Sequence, residues 1–206
     1  MRGYLHRPDT RLGSGLALTH GAGSDCNTPL LVALAECFAA AGYAFLRCDL
    51  PFRQKRPSGP PHGSGDEDRD GLRSAVQALA QIIPGAVYLG GLSYGGRQAS
   101  ILAAKEPALV GGLLLLSYPL HAPGNPAKLR TEHFQNLHVP TLFIHGTKNP
   151  FGSVEEIQAA RKLIPAKTDL VVVEGAGHDL GYSKKRMRVS DFPSTTLASF
   201  TQFFAR

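Results

Sequence analysis

The chain has no tryptophan and only three cysteines, and none of its apolar runs approaches the ~20 residues that a membrane span needs. Cys26, Cys37 and Cys48 form an odd set without C-x-x-C spacing. That argues against a disulfide framework or a zinc site and suits a reducing, cytoplasmic setting. Cys37 and Cys48 read as packing residues. Met1 to His6 lacks the apolar segment of a secretory signal. The net charge is +6, with the densest basic cluster at Lys184, Lys185, Arg186 and Arg188. No aromatic residues alternate with that cluster as a base-stacking platform requires. It reads as a solvated loop, and no nucleic-acid partner is expected. There is no internal repeat, low-complexity tract or domain boundary. With 43% hydrophobic and 18% charged residues, 206 residues fit one globular domain, 1–206.

What the chain does have is an alternation of short apolar runs with helical patterns, the signature of βαβ units. Six strands are expected, at Gly15–Thr19, Tyr43–Cys48, Ala86–Gly90, Gly112–Leu116, Pro140–Ile144 and Asp169–Val173. Gly112 to Leu116 is continuously apolar, as a strand buried on both faces should be. Helices are expected at Leu30–Ala41, with Thr28 as N-cap and Pro29 first, and at Asp66–Ile83, with acidic residues at its start. Others run from Ser93 to about Glu106, from a Ser153/Glu156 capping box to Leu163, and over Ser194–Phe204. Pro51 to Gly65 reads as loop, and Tyr118 to His138 as an irregular excursion where a lid would sit. Both are expected to wall a fairly open pocket. The fold class is therefore α/β, a mostly parallel sheet of about six strands with helices on both faces.

The most informative segment is Gly91-Leu92-Ser93-Tyr94-Gly95, a G-x-S-x-G pentapeptide between a strand and a helix. A serine on such a turn is held in a strained backbone conformation with its hydroxyl exposed. Parallel strands bring their C-terminal ends to one edge, where ligands bind. Four unusual segments fall there: His20 to Ser24, Gly91 to Gly95, His145 to Asn149 and Gly175 to Asp179. A serine needs a base, and His178, in a glycine-rich loop after the last strand, suits that role. The oxyanion formed at a carbonyl needs donors already aimed at it. The backbone N–H of Tyr94 is one, and that of Ala22, or of Gly23, the other; Gly21 and Gly23 would let that loop come close. His20 and His145 read as hydrogen-bonded supports, since no ligand spacing points to a metal. Asp49 reads as structural.

His20-Gly21-Ala22-Gly23, Gly91 to Gly96, His145 to Asn149 and Gly177-His178 together resemble the α/β-hydrolase superfamily. The likeness runs from about Gly15 to Arg206. The compact size and the H-G-A-G opening look most like the small dienelactone-hydrolase-like predicted hydrolases. The branch that holds a chromatin-complex subunit and a testis-expressed protein is also similar. The resemblance implies Ser93 as nucleophile, His178 as general base and acid, and Tyr94 and Ala22 as oxyanion donors. It implies a small acyl compound as substrate, with neither metal nor organic cofactor required. One position departs from the pattern. Where the family usually has an aspartate after the strand ending in H-G, this chain has Asn149. An asparagine oxygen can accept from the imidazole, but it carries no charge and its amide can turn the wrong way. Three readings stay open. Another carboxylate serves, with Glu174 nearest and Asp179 and Asp49 behind it; the site works weakly with asparagine; or the fold is kept for binding alone.

Overall fold

The computed structural model describes residues 2–9, 13–183, 186–187 and 191–205. Lys184, Lys185 and Arg188 of the basic cluster lie outside these. Arg186 falls in a two-residue strand paired with Tyr182–Ser183.

All six expected strands form, within one or two residues of their expected ends. In chain order they are β2 (Gly15–Thr19), β3 (Ala44–Cys48), β4 (Val87–Leu92), β5 (Gly112–Leu116), β6 (Thr141–Gly146) and β7 (Thr168–Val173). The sheet has a seventh strand that the pattern did not announce, β1 (Gly3–His6). Its order is β1-β3-β2-β4-β5-β6-β7. Every pairing is parallel except that of β1, which runs antiparallel along β3 at the edge. An antiparallel edge strand needs no buried face of its own, so four half-exposed residues suffice.

The chain goes out from β2 to β3 and returns to β4 on the other side of β2. That reversal opens a crevice between the ends of β2 and β4, where Thr19 pairs with Gly91.

Side chains alternate across the sheet and divide the core in two. Leu113 and Leu115 join Leu72, Val76 and Leu79 of α3 (Asp66–Ala80) and Ala99 and Leu102 of α4 (Tyr94–Lys105). Leu114 and Leu116 face the other way. There they meet a cluster with Leu31, Leu34 and Phe38 of α1 (Pro29–Ala40) and Phe192, Phe200 and Phe203 of α6 (Phe192–Phe204). Phe38, Tyr43, Tyr88 and Phe204 ring Phe200 at centroid distances of 4.7 to 5.6 Å.

Three local expectations change. Thr28 does stand at the N-cap of α1, but its side chain makes no cap bond and its Oγ1 is buried without a partner. Pro51 to Gly65 is not loop throughout, because Pro51–Lys55 forms a one-turn helix, α2, with Pro51 at its first position. The capping box of Ser153 and Glu156 forms, but the helix it starts, α5 (Val154–Ala160), tightens into a 3-10 turn over Arg161–Leu163. Among the described residues, no helix is long and apolar enough to cross a membrane.

Candidate active site

Ser93 sits between β4 and α4 with φ 53° and ψ −117°. A side chain there is strained, and only surrounding structure keeps it so. The Ser93 amide donates to Leu116 O at 2.9 Å, and its carbonyl accepts from Arg97 N at 3.0 Å. The flanking glycines are required by space. A Cβ on Gly91 would lie 2.9 Å from the Gly95 carbonyl carbon, and one on Gly95 would lie 2.5 Å from His20 O.

His178 arrives from the loop after β7. Its Nε2 lies 2.8 Å from Ser93 Oγ, across 85 positions of chain. Its Nδ1 lies 3.0 Å from Asn149 Oδ1. The same Oδ1 accepts from the Phe151 amide at 3.0 Å. A backbone N–H only donates, so Asn149 must turn its oxygen this way, and His178 then carries its proton on Nδ1. Nε2 is left with a lone pair facing the Ser93 hydroxyl. The alternative acids are elsewhere. Glu174 is exposed and accepts from Thr147 Oγ1 at 3.3 Å. Asp179 accepts from Gly181 N at 3.0 Å. Asp49 accepts from Cys26 N at 2.8 Å and pairs with Arg2 at 2.6 Å, a structural role. The Phe151 ring covers the imidazole, with centroids 4.2 Å apart and planes 33° from parallel. Burial, and after it the nearby His145, push His178 down to about 4, with Asp179 pulling the other way. Neutral at ordinary pH, this imidazole can take the Ser93 proton.

The loop after β2 closes the other side. His20 Nδ1 donates to Gly21 O at 2.8 Å and its Nε2 accepts from Leu50 N at 3.1 Å, so it is a neutral support, as is His145, whose Nε2 donates to Gly152 O at 2.8 Å. Sequence reasoning missed Arg53, on α2. It donates to Ala22 O and Ser24 O, both at 2.8 Å, and to the carbonyls of Arg56 and Gly59. The Ala22 carbonyl so clamped belongs to the peptide that carries Gly23 N–H, while the peptide that carries Ala22 N–H is fixed through Gly21 O, which accepts from His20 Nδ1 at 2.8 Å and from Ser24 N at 3.3 Å. Ala22 and Tyr94 both border the cavity, and the backbone amide of neither donates a hydrogen bond among the described residues. No protein atom requires a glycine at position 21 or 23. A Cβ on Gly21 would make an ordinary 3.5 Å contact with Ser93, and one on Gly23 would meet open space.

These groups border a cavity of about 890 Å³. Its wall includes Pro119 and Arg130 from the excursion, and Lys148, Pro150 and Phe151. Pro51 to Gly65, expected in this wall, instead helps line a neighbouring cleft through Arg53 and Pro57. Among the described residues, no group of three or more His, Cys, Asp or Glu side chains could hold a metal ion.

Known proteins agree with this architecture. Est1E from Butyrivibrio proteoclasticus superposes with a TM-score of 0.78 at 16% identity, covering 99% of this chain and 94% of its own. A dienelactone hydrolase from Anabaena variabilis superposes with a TM-score of 0.74 at 22% identity, covering 98% and 90%. An alpha-beta serine hydrolase homologue from Coxiella burnetii gives 0.73 at 17% identity, covering 96% and 90%. Residues 14–203 match the family described as the alpha/beta hydrolase domain. The chain therefore belongs to the α/β-hydrolase superfamily, with dienelactone-hydrolase-like proteins among its structural relatives.

Proposed function

We propose that the protein is a serine hydrolase of small carboxylic esters or related acyl compounds. Ser93 Oγ attacks the carbonyl carbon while His178 Nε2 takes its proton. The amides of Ala22 and Tyr94 hold the resulting oxyanion. The imidazolium returns the proton to the departing alkoxide, leaving an acyl group on Ser93. Water then attacks that ester, gives its proton to His178, and releases the acid and the free hydroxyl. Asn149 keeps the proton of the resting imidazole on Nδ1 but offers no charge to the imidazolium. The observation that carries this reading is the 2.8 Å approach of His178 Nε2 to Ser93 Oγ beside two undonated amides. The test is covalent labelling by a fluorophosphonate. Label on Ser93, absent from Ser93→Ala, is expected; a folded protein that stays unlabelled refutes it.

Asn149 also motivates a second reading, a binding or scaffold protein on a degenerate hydrolase fold. It predicts that Asn149→Asp leaves 4-nitrophenyl acetate hydrolysis at background. Hydrolysis, thioester cleavage and acyl transfer share the same first step, and product analysis with competing alcohol or amine acceptors separates them.

A further inference from the structure

Three cations border the Ser93 cavity, Arg97, Arg130 and Lys148, against one carboxylate, Asp179. Arg97 lies in the first turn of α4, and its amide donates to the Ser93 carbonyl at 3.0 Å. Its guanidinium makes no hydrogen bond or ion pair among the described residues, and its Nε is buried without a partner. Arg130 has only a bond from Nη1 to Pro119 O at 3.2 Å. The Lys148 ammonium is unpaired among the described residues. Asp179 forms no ion pair with any of them among the described residues, and its Oδ1 accepts from the Gly181 amide at 3.0 Å.

The two guanidinium groups also act on each other. Burial first, and Arg97 second, hold Arg130 below its ordinary value, with Tyr118 and Glu132 pulling the other way, and burial and Arg97 likewise push His133 down to about 4 against Glu132. Glu132 forms no ion pair with either arginine among the described residues, and partly buried like charges without a paired counter-ion are costly. Three other buried or half-buried arginines are satisfied. Arg73 takes Glu106 and Asp70, Arg69 takes Asp66 and Gln98, and Arg53 takes four carbonyls. The uncompensated pair is beside the reactive serine. A guanidinium fork matches oxyacid anions in shape as well as charge.

We propose that Arg97 and Arg130 bind an anionic oxyacid group, a carboxylate or a phosphate, on the acyl portion of the substrate. The proposal rests on the reading of Ser93 as nucleophile and names the substrate class for it. The leaving group must lie against His178, which protonates it. The arginines belong instead to α4 and the excursion, so the anion falls on the acyl side. Leu92, Tyr94 and Pro119 give the intervening chain an apolar wall.

The experiment compares 4-nitrophenyl hydrogen adipate with 4-nitrophenyl hexanoate, which share leaving group and chain length. The wild type should favour the adipate by about tenfold or more in kcat/KM, chiefly through KM, and added salt should shrink the preference. Arg97→Gln and Arg130→Gln should each bring the ratio near one. Lys162→Gln, exposed outside the cavity, should keep it. A wild-type ratio of one or less, or a ratio that both cavity variants leave intact, overturns the proposal. Calorimetry on Ser93→Ala with adipate and with inorganic phosphate reads the anion site without catalysis. Binding of either that weakens about tenfold in Ser93→Ala/Arg97→Gln supports the proposal and tells carboxylate from phosphate. Binding of neither overturns it. Fluorophosphonate labelling reports separately on Ser93.

Discussion

The Phe151 amide donates to Asn149 Oδ1 at 3.0 Å, and that bond decides which way the asparagine faces. In a serine protease, replacing the acid by asparagine costs about 10⁴ in turnover because the histidine adopts the wrong tautomer. Here the backbone removes that freedom. Asn149 meets His178 as an acceptor, while its Nδ2 is buried without a partner. Such a donor costs roughly 1–3 kcal/mol. The arrangement orients the imidazole without charging its surroundings.

Asn149→Asp should therefore raise ester hydrolysis, but by less than the protease case suggests. The tautomer is already right, so only stabilisation of the imidazolium is gained. An increase of about 10- to 100-fold in kcat is expected, corresponding to roughly 1.4–2.7 kcal/mol. Steady-state rates on 4-nitrophenyl acetate measure it, and an unchanged rate would favour the binding-protein reading.

The pH profile carries the same chemistry. The base must be neutral, so activity is lost as pH falls through the His178 value of about 4. The wild type should keep its kcat/KM plateau well below pH 6. A carboxylate at position 149 favours the charged ring and raises that value, so Asn149→Asp should move the acid limb upward. A wild-type midpoint near the ordinary histidine value would contradict the burial argument.

Arg53 should matter to turnover without touching substrate. It holds the Ala22 and Ser24 carbonyls, and so the course of the loop that carries the Ala22 and Gly23 amides toward the oxyanion. Arg53→Gln should lower kcat by about 10² with a smaller change in KM, since misaimed donors fail mainly in the transition state. Arg53→Lys should not rescue it, because one ammonium cannot replace a fork spread over four carbonyls. A parallel loss of kcat and folded fraction would instead mark a purely structural role.

Stability should fall in acid through two histidines. Both His133 and His178 are held down to about 4, chiefly by burial, whereas the unfolded chain binds these protons near 6.5. Their contribution is full above about pH 6.5 and is lost as pH drops toward 4. Chemical denaturation across that window should show proton uptake on unfolding, with His133 and His178 adding to that of His6, His20 and His145, whose values burial also lowers. His133→Gln should remove its share of that uptake.

The strands β2 to β7 were legible because each is a short apolar run bounded by turn residues. The serine turn was legible because its glycines stand at fixed offsets. His178 and Asn149 could be found because parallel strand ends converge, which makes chain order a guide to space. β1 was not legible, since Gly3-Tyr4-Leu5-His6 has no buried face and is defined by its partner β3. Arg53 was hidden inside a Pro- and Gly-rich stretch, and what it holds lies about thirty positions away. Phe151 acts through its backbone N–H and its ring face, and neither leaves a pattern in the letters. Arg97 and Arg130 became informative only once their missing counter-ions were visible.

The turn at Ser93, with φ 53°, has a thermodynamic corollary. Strain of this kind costs on the order of 1–3 kcal/mol, and glycine alone is released from it. Ser93→Ala and Ser93→Gly should be equally inert toward esters, yet the glycine form should melt at the higher temperature. Heat tolerance and chemistry are opposed at this one residue, so a search for hardier variants scored by melting alone would drift toward dead protein.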